Sequence, residues 1–504
     1  MAGTLPYFPI DLPPGVVRGG TEYKSKGRWY DTHLVRWYEA GGATSLGPIQ
    51  GWAKHSGTAV TGTPRAIINW RDDSSTRWVG IGTHSKLYVM NASGSLFDIT
   101  PAGFTAGRSS STAGTTGYGS GSFGTGVFGA GSSDITTRLP ATVWDLATFG
   151  QYLDGCSEDD GKIYEWQLST GTLAAVITNA PTGCIGLVVT PQRFLFALGA
   201  GGNKRKVQWC DQEDNTTWTP TATNQAGDLD IPSGTLRCGA YIGEQTLVLS
   251  DLAAHIFDYV GLPYVYSRRQ VGNGCGAISK RCIVATGPMG IWWSDSGFWV
   301  YDGACRPIPC DVWDYLNTTL SQAQKSKISG WHNPKNQEAW WFWPSSSTGE
   351  NDSYVKVNYK TWKWDIGAFG RGCGTEPGAF TNPMCADAVD GYVYDHEFGY
   401  LYTGAASPYA RSGPIELSRG DNVMEVLGII PDEQTSGQVS VNFHAKFWPN
   451  APDSSGIGPA TFDGTGYTGL RFSARQIEIV VTGVSPSGWR WGTPRLDLEK
   501  AGEA

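Results

Sequence analysis

Ser157, Glu158, Asp159, Asp160 and Gly161, continuing through Lys162 and Ile163 to Tyr164, bring three carboxylates and a phenol into one short stretch. Carboxylates are the working groups of glycoside hydrolysis, which needs one to protonate the leaving oxygen and another to act as base or nucleophile. A looser version of the same stretch is Ser294-Asp295-Ser296-Gly297-Phe298-Trp299. Glycosidase chemistry would require two carboxylates, or a Tyr–Glu pair with an arginine cluster, converging at one mouth of a fold. With 46 acidic residues in the chain, no such pair singles itself out.

The spacing in Ser157–Tyr164 is close to the Asp-box turn, S-x-D-x-G-x-T-W, of sialidase-type glycosidases. In that turn the Ser and Asp side chains satisfy backbone groups of a hairpin, so the box is a folding device. Other candidates are weaker. Asp395-His396-Glu397 is the only carboxylate-flanked histidine among seven, and HExxH is absent, so a turn-stabilising role outweighs a metal role. Gly199-Ala200-Gly201-Gly202-Asn203 lacks the GK[ST] of a phosphate loop and reads as a turn. Trp340-Trp341-Phe342-Trp343 could stack on sugars. In a strand, though, Trp340 and Phe342 face one side and Trp341 and Trp343 the other, as a core strand requires. No catalytic, metal or cofactor-binding residue is assigned, and no cofactor is expected.

The ten cysteines (Cys156, Cys184, Cys210, Cys238, Cys275, Cys282, Cys305, Cys310, Cys373 and Cys385) include no CxxC pair. They read as small buried hydrophobes in a reducing compartment. Met1–Gly20 carries Pro6, Pro9, Pro13 and Pro14 and no basic start followed by an apolar run. No stretch approaches the roughly 20 apolar residues of a membrane span. The expectation is a soluble protein made in a cytoplasm, with no membrane insertion. Without a secretory signal, the glycosylation triplets at Asn91, Asn215, Asn317 and Asn351 carry little weight.

The elements that must hold these residues are strands. Of 504 residues, 68 are Gly, well above the usual level of about 7%, and Trp and Tyr number 22 each. Gly-rich turns between aromatic and β-branched segments mark short strands. A unit of apolar strand, tight turn and aromatic strand recurs around Leu87, Ile163, Val207, Ile256, Trp299, Val355 and Val393, in steps of 76, 44, 49, 43, 56 and 38 residues. Apart from the first step, these approach the about 40–50 residues of a propeller blade. The fold expected is all-β: a six- or seven-bladed β-propeller with an N-terminal flanking segment and a C-terminal β-sandwich-like domain. The boundaries read as 1–55 for the N-terminal arm and flanking strands, 56–412 for the propeller and 413–504 for the sandwich. The long first step holds a Gly/Ser-rich insertion at 102–134, expected to be a loop or arm that orders against a neighbouring subunit. The best helical stretch is Asp311–Lys327, read as one or two short helices on a connection.

The formal charge is −8, and the longest basic run is Lys204-Arg205-Lys206. Tight phosphate binding needs more cations than this. A surface past which DNA slides should instead repel phosphates.

Blocks spread along the chain resemble the tail nozzle proteins of short-tailed bacteriophages, also called tail tube or packaged-DNA-stabilising proteins. The blocks are Gly27-Arg28-Trp29-Tyr30-Asp31 with Leu34-Val35-Arg36-Trp37-Tyr38, and Gly82-Thr83-His84-Ser85-Lys86-Leu87-Tyr88-Val89 leading to Asp98-Ile99-Thr100-Pro101. Further blocks are Val189-Thr190-Pro191-Gln192-Arg193-Phe194-Leu195-Phe196-Ala197-Leu198-Gly199, Cys275-Gly276-Ala277-Ile278-Ser279 and Phe298-Trp299-Val300-Tyr301-Asp302-Gly303. The resemblance implies a non-enzymatic virion protein assembled in the bacterial host cytoplasm, six copies of which form a ring below portal and adaptor. It implies contacts with tail fibre or tip proteins, and a channel passing double-stranded DNA without sequence-specific binding. Six chains of −8 would line that ring with net negative charge. Which residues line the channel is not assigned. The alternative expectation is a propeller glycosidase, or a receptor-binding tail protein, acting on host surface polysaccharide.

Overall fold

The computed structural model describes residues 7–40, 43–115, 133–449, 451–452, 454, 456–462 and 464–501. Seven four-stranded antiparallel sheets follow one another along the chain, at 64–98, 144–176, 186–230, 236–273, 283–308, 329–367 and 373–396. The first strand of each packs against the first strand of the next, and that of the seventh packs against that of the first. The seven sheets therefore close into a ring, a seven-bladed propeller, which resolves the six-or-seven expectation. Each of the repeat anchors, from Leu87 to Val393, falls on the third strand of its blade. The sequence period is thus the blade itself.

Blade 7 obtains only three strands from its own segment. Its fourth, Trp52–Lys54, pairs antiparallel with Val393–His396, with Trp52 opposite His396 and Lys54 opposite Tyr394. A strand from before blade 1 thereby fastens the ring shut. The expected border at residue 56 shifts accordingly, because 52–54 belongs to the propeller.

Aromatic side chains fill the space between blades. Trp340, Trp341, Phe342 and Trp343 lie on Glu338–Pro344 of blade 6 and are all buried. Trp341 and Trp343 pack toward blade 5, with ring centroids 4.9 Å from Phe298 and 6.5 Å from Trp293 respectively. Trp340 and Phe342 join Trp331, Tyr354, Tyr394 and Trp52 on the blade 7 side. Strand alternation splits one aromatic run between two inter-blade cores, as expected for a core strand. The stretch Asp311–Lys327 forms a helix at Trp313–Thr319 and a short 3-10 turn at Lys325–Lys327, on the connection between blades 5 and 6.

The C-terminal unit is two facing sheets. One orders Phe8–Pro9, Arg495–Lys500, Met424–Ile430 and Thr468–Ala474. The other orders Trp29–His33, Tyr409–Ser412, Gln476–Gly483, Val439–Lys446 and Ile457–Thr461. Val439, Val441 and Phe443 are buried while Ser440, Asn442 and His444 between them are only half-buried, the alternation of a sheet with one core face. Strands from both chain ends build this sandwich, so the expected 1–55 arm divides between the two units. The upstream border likewise moves from 413 to take in Tyr409–Ser412. Val35–Ala40 and Ala43–Pro48 form a separate hairpin.

Of the 102–134 insertion, Thr112–Thr115 pairs with Ser133–Leu139. Its Gly-rich middle, 116–132, lies outside the described residues, and so does the expectation that it meets a neighbouring subunit. Among the described residues, no helix is long and apolar enough to cross a membrane.

Candidate functional site: the axial cavity

The innermost strands run alongside one another around the ring axis. A parallel bridge between Arg281 and Ser329, from blades 5 and 6, is one sign of this. Side chains early on these strands therefore sit toward one end of the axis, and late ones toward the other. Between them lies a cavity of about 750 Å³, lined by residues from all seven blades. That volume falls within the range of small-molecule pockets, roughly 300–1,000 Å³.

Three charged groups come from the early end. Asp145 is the second residue of the first strand of blade 2, and Lys280 and Arg281 precede that of blade 5. Lys280 is buried and is ion-paired with Glu158 at 3.1 Å, and its ammonium also donates to the Ile185 carbonyl. Burial opposes the charge on Lys280, but Glu158 and Asp145 outweigh it and raise its pKa. The ammonium in turn overcomes the burial of Glu158 and holds that carboxyl below its usual value. Asp145 fares differently. Burial pushes its carboxyl up to about 6 against the pull of Lys280 and Arg281, and among the described residues its Oδ2 has no hydrogen-bond partner. Arg281 is half-buried, and its guanidinium makes one long bond, Nη2 to the Ile67 carbonyl at 3.5 Å.

The late end is polar. His332 Nδ1 lies 2.8 Å from Glu376 Oε2, and Asn69 Nδ2 donates to the Glu376 carbonyl at 2.6 Å. Thr148, Thr286 and Tyr241, which is 57% exposed, also line the cavity, on the late side of their strands.

The residues that sequence singled out lie elsewhere and serve the fold. In the Asp-box-like turn, the Gly161 amide donates to the Ser157 carbonyl at 2.8 Å, and Gly161 takes a left-handed φ of 68°. Asp160 accepts the Thr105 amide at 3.1 Å and the Tyr164 hydroxyl, while Asp159 binds the Thr142 hydroxyl and Arg108. The Ser157 hydroxyl is buried without a partner, so here the carbonyl rather than the side chain closes the turn. Only Glu158 reaches the cavity floor, through Lys280. Asp295 of the looser box pairs with Lys325 at 2.5 Å.

Asp395, His396 and Glu397 point three ways. Asp395 meets His55 at 2.8 Å, His396 Nε2 accepts Arg371 Nε at 3.2 Å, and Glu397 binds Arg36. Among the described residues, no group of three or more His, Cys, Asp or Glu side chains is placed to hold a metal ion. Gly199–Asn203 is a turn around the short 3-10 segment Ala200–Gly202. All ten cysteines are free thiols; eight are buried, and Cys305 and Cys310 are partly so. Cys275 and Cys305 approach to 3.8 Å between sulfurs, a proximity their spacing of 30 residues did not signal. The cavity residues escaped sequence reading for a related reason. Asp145, Arg281 and Tyr241 carry no local motif and converge only through the ring.

These features define a seven-bladed β-propeller with a fused β-sandwich and a polar axial cavity. No family model matches the chain, and no curated protein does. Among solved structures, the chain is similar to a streptogramin B lyase at 10% identity and TM-score 0.36, over 68% of this chain and 96% of that one. It is similar to virginiamycin B lyase from Staphylococcus aureus at 8% identity and TM-score 0.41, over 68% and 97%. It is also similar to Raptor from Chaetomium thermophilum at 11% identity and TM-score 0.41, over 69% and 29%. The similar structures thus include a lyase as well as proteins not described as enzymes. Propellers host both, and the likeness assigns no activity.

Proposed function

We propose that the chain is a structural protein of a short-tailed phage virion, a tail nozzle whose six copies ring a channel for genome retention and exit. The observation that carries this reading is the set of sequence blocks resembling that family. In the fold those blocks fall at structural junctions. Trp29–His33 joins the sandwich, the Leu34–Tyr38 block opens the hairpin beside it, and Gly82–Val89 spans the turn between two strands of blade 1. Val189–Gly199 does the same in blade 3, and Phe298–Gly303 leads from the third strand of blade 5 into the turn that follows it. They encode architecture, as a scaffold requires.

Two features support assembly. The chain is acidic, at −8, which suits a wall that DNA slides along. The long hairpin of blade 4, Ala253–Gly261 with Val265–Asn273, carries an apolar tip in which Val260, Leu262 and Tyr264 are 53%, 68% and 79% exposed. Exposed apolar side chains gathered in this way are the chemistry of subunit contact. Native mass spectrometry and electron microscopy of the purified protein, alone and with its adaptor ring, test the proposal. Six-fold rings are expected. A chain that stays monomeric even on the adaptor would sink it.

A further inference from the structure

We propose that the axial cavity binds a small hydroxylated carboxylate, the chemistry of an acidic monosaccharide unit, with Arg281 taking the carboxylate. This goes beyond the nozzle reading and does not depend on ring assembly.

The argument starts from the charges. On the cavity floor, Lys280 is already matched by Glu158 at 3.1 Å. Among the described residues, no carboxylate lies within ion-pair distance of Arg281, and four of its five N–H donors are unspent. An unmatched guanidinium in a partly enclosed polar site favours a carboxylate, which it can bind through two parallel hydrogen bonds. A floor-bound carboxylate places the rest of a small ligand along the axis, toward the mouth.

The remaining wall selects hydroxyls over hydrocarbon. Asp145, more than nine-tenths buried and lining the cavity, keeps Oδ2 unpartnered, an acceptor that costs stability until something donates to it. Thr148, Thr286 and the His332–Glu376 pair present further donors and acceptors near the mouth. Tyr241 adds a flat apolar face with a polar tip, more than half exposed, against which one face of a pyranose ring could lie. Five blades of a closed ring carry these groups on or beside their innermost strands, so the site is held rigid before any ligand arrives, which limits the entropy lost on binding.

Isothermal titration of the full chain with glucuronate, glucose and inorganic phosphate tests the assignment. Glucuronate is expected to bind with a Kd of about 1 mM or tighter, ordinary for so small a ligand. Glucose, lacking the carboxylate, and phosphate, lacking the hydroxylated ring, should each bind at least tenfold more weakly. Arg281→Gln should weaken glucuronate at least tenfold, and Tyr241→Ala several-fold with an unchanged Tm. The proposal is overturned if glucuronate shows no saturable binding, if Arg281→Gln binds it like the parent, or if phosphate binds equally well. Should Arg281→Gln fail to fold, Tyr241→Ala decides, since that ring is largely solvent-exposed: unchanged affinity there overturns the site. The titration reads the single chain and the microscopy reads the ring, so either proposal can fail alone.

Discussion

Arg36 sits between two carboxylates in a buried cluster that ties the N-terminal hairpin to blades 6 and 7. Its Nη2 lies 2.6 Å from both Glu338 Oε2 and Glu397 Oε1, and Lys356 bridges Glu338 at 2.9 Å and Asp365. Burial opposes every charge here, yet Arg36 and Lys356 hold the Glu338 carboxyl down to about 2. Removing the central cation takes the buried Glu397 carboxylate's cation away and leaves Glu338 with Lys356 alone, so Arg36→Ala should cost on the order of 3–5 kcal/mol, read as a large fall in Tm. Arg36→Lys keeps the charge but cannot fork to both partners, and should fall between parent and Ala.

Three buried histidines set an acid limit. Burial lowers His33 and His255 to about 4, and holds His396 well below its ordinary value. Each is neutral in the fold and takes up a proton on unfolding near its ordinary value of about 6.5. Their contribution to stability is whole above that value and is lost as pH falls toward 4. Asp145 and Asp365, pushed up by burial to about 6, work the other way, favouring the fold as pH drops from about 6 to 4. His255 isolates the effect, because both its ring nitrogens are buried without partners. His255→Leu should raise Tm at pH 7 and reduce the loss on going to pH 5 by about 2 kcal/mol, measured by thermal melts at the two values.

At the scale of elements, most of the propeller could be read in advance. Each repeat anchor marks the third strand of a blade because the tight turn and aromatic strand there are local features, such as Cys156 to Ser157 turning into Ile163–Trp166. The count stayed open between six and seven because the closing strand has no local signature. Trp52–Lys54 is three residues long, and its partner strand lies some 340 residues away, the separation of the His55–Asp395 contact. The sandwich was legible at the C-terminal end, but Phe8–Pro9 was hidden inside a Pro-rich lead, and nothing local to Trp29–His33 showed that this flanking strand would join the sandwich. Deleting residues 1–55 should therefore not trim an arm. It should unfasten blade 7 and open the sandwich edge together, seen as lost near-UV circular dichroism and rapid proteolysis of both units. The cavity was not legible at all, since Asp145, Arg281 and Tyr241 come from three blades and meet only once the ring exists.

For the whole molecule, net charge is the property with the widest reach. At −8, isolated chains should bind duplex DNA weakly, with little of the steep salt dependence that phosphate neutralisation produces. Gel-shift titrations at 50 and 200 mM salt check this; tight binding that collapses with salt would contradict a wall built for sliding. The sandwich and propeller share the N-terminal segment, and Arg36, on the hairpin within it, ties that segment to Glu338 of blade 6.

The late closure of blade 7 also bears on how the protein is made. Trp52–Lys54 leaves the ribosome early, and its partner, Val393–His396, emerges only after the other six blades have been synthesised. At elongation rates of about 5–20 residues per second, that interval lasts tens of seconds. Throughout it the nascent ring is an open crescent with Trp52–Lys54 unpaired and an exposed flank at blade 1, the kind of surface on which chains aggregate or exchange strands. Soluble yield should accordingly depend on chaperone supply and growth temperature more than the stability of the finished ring would imply.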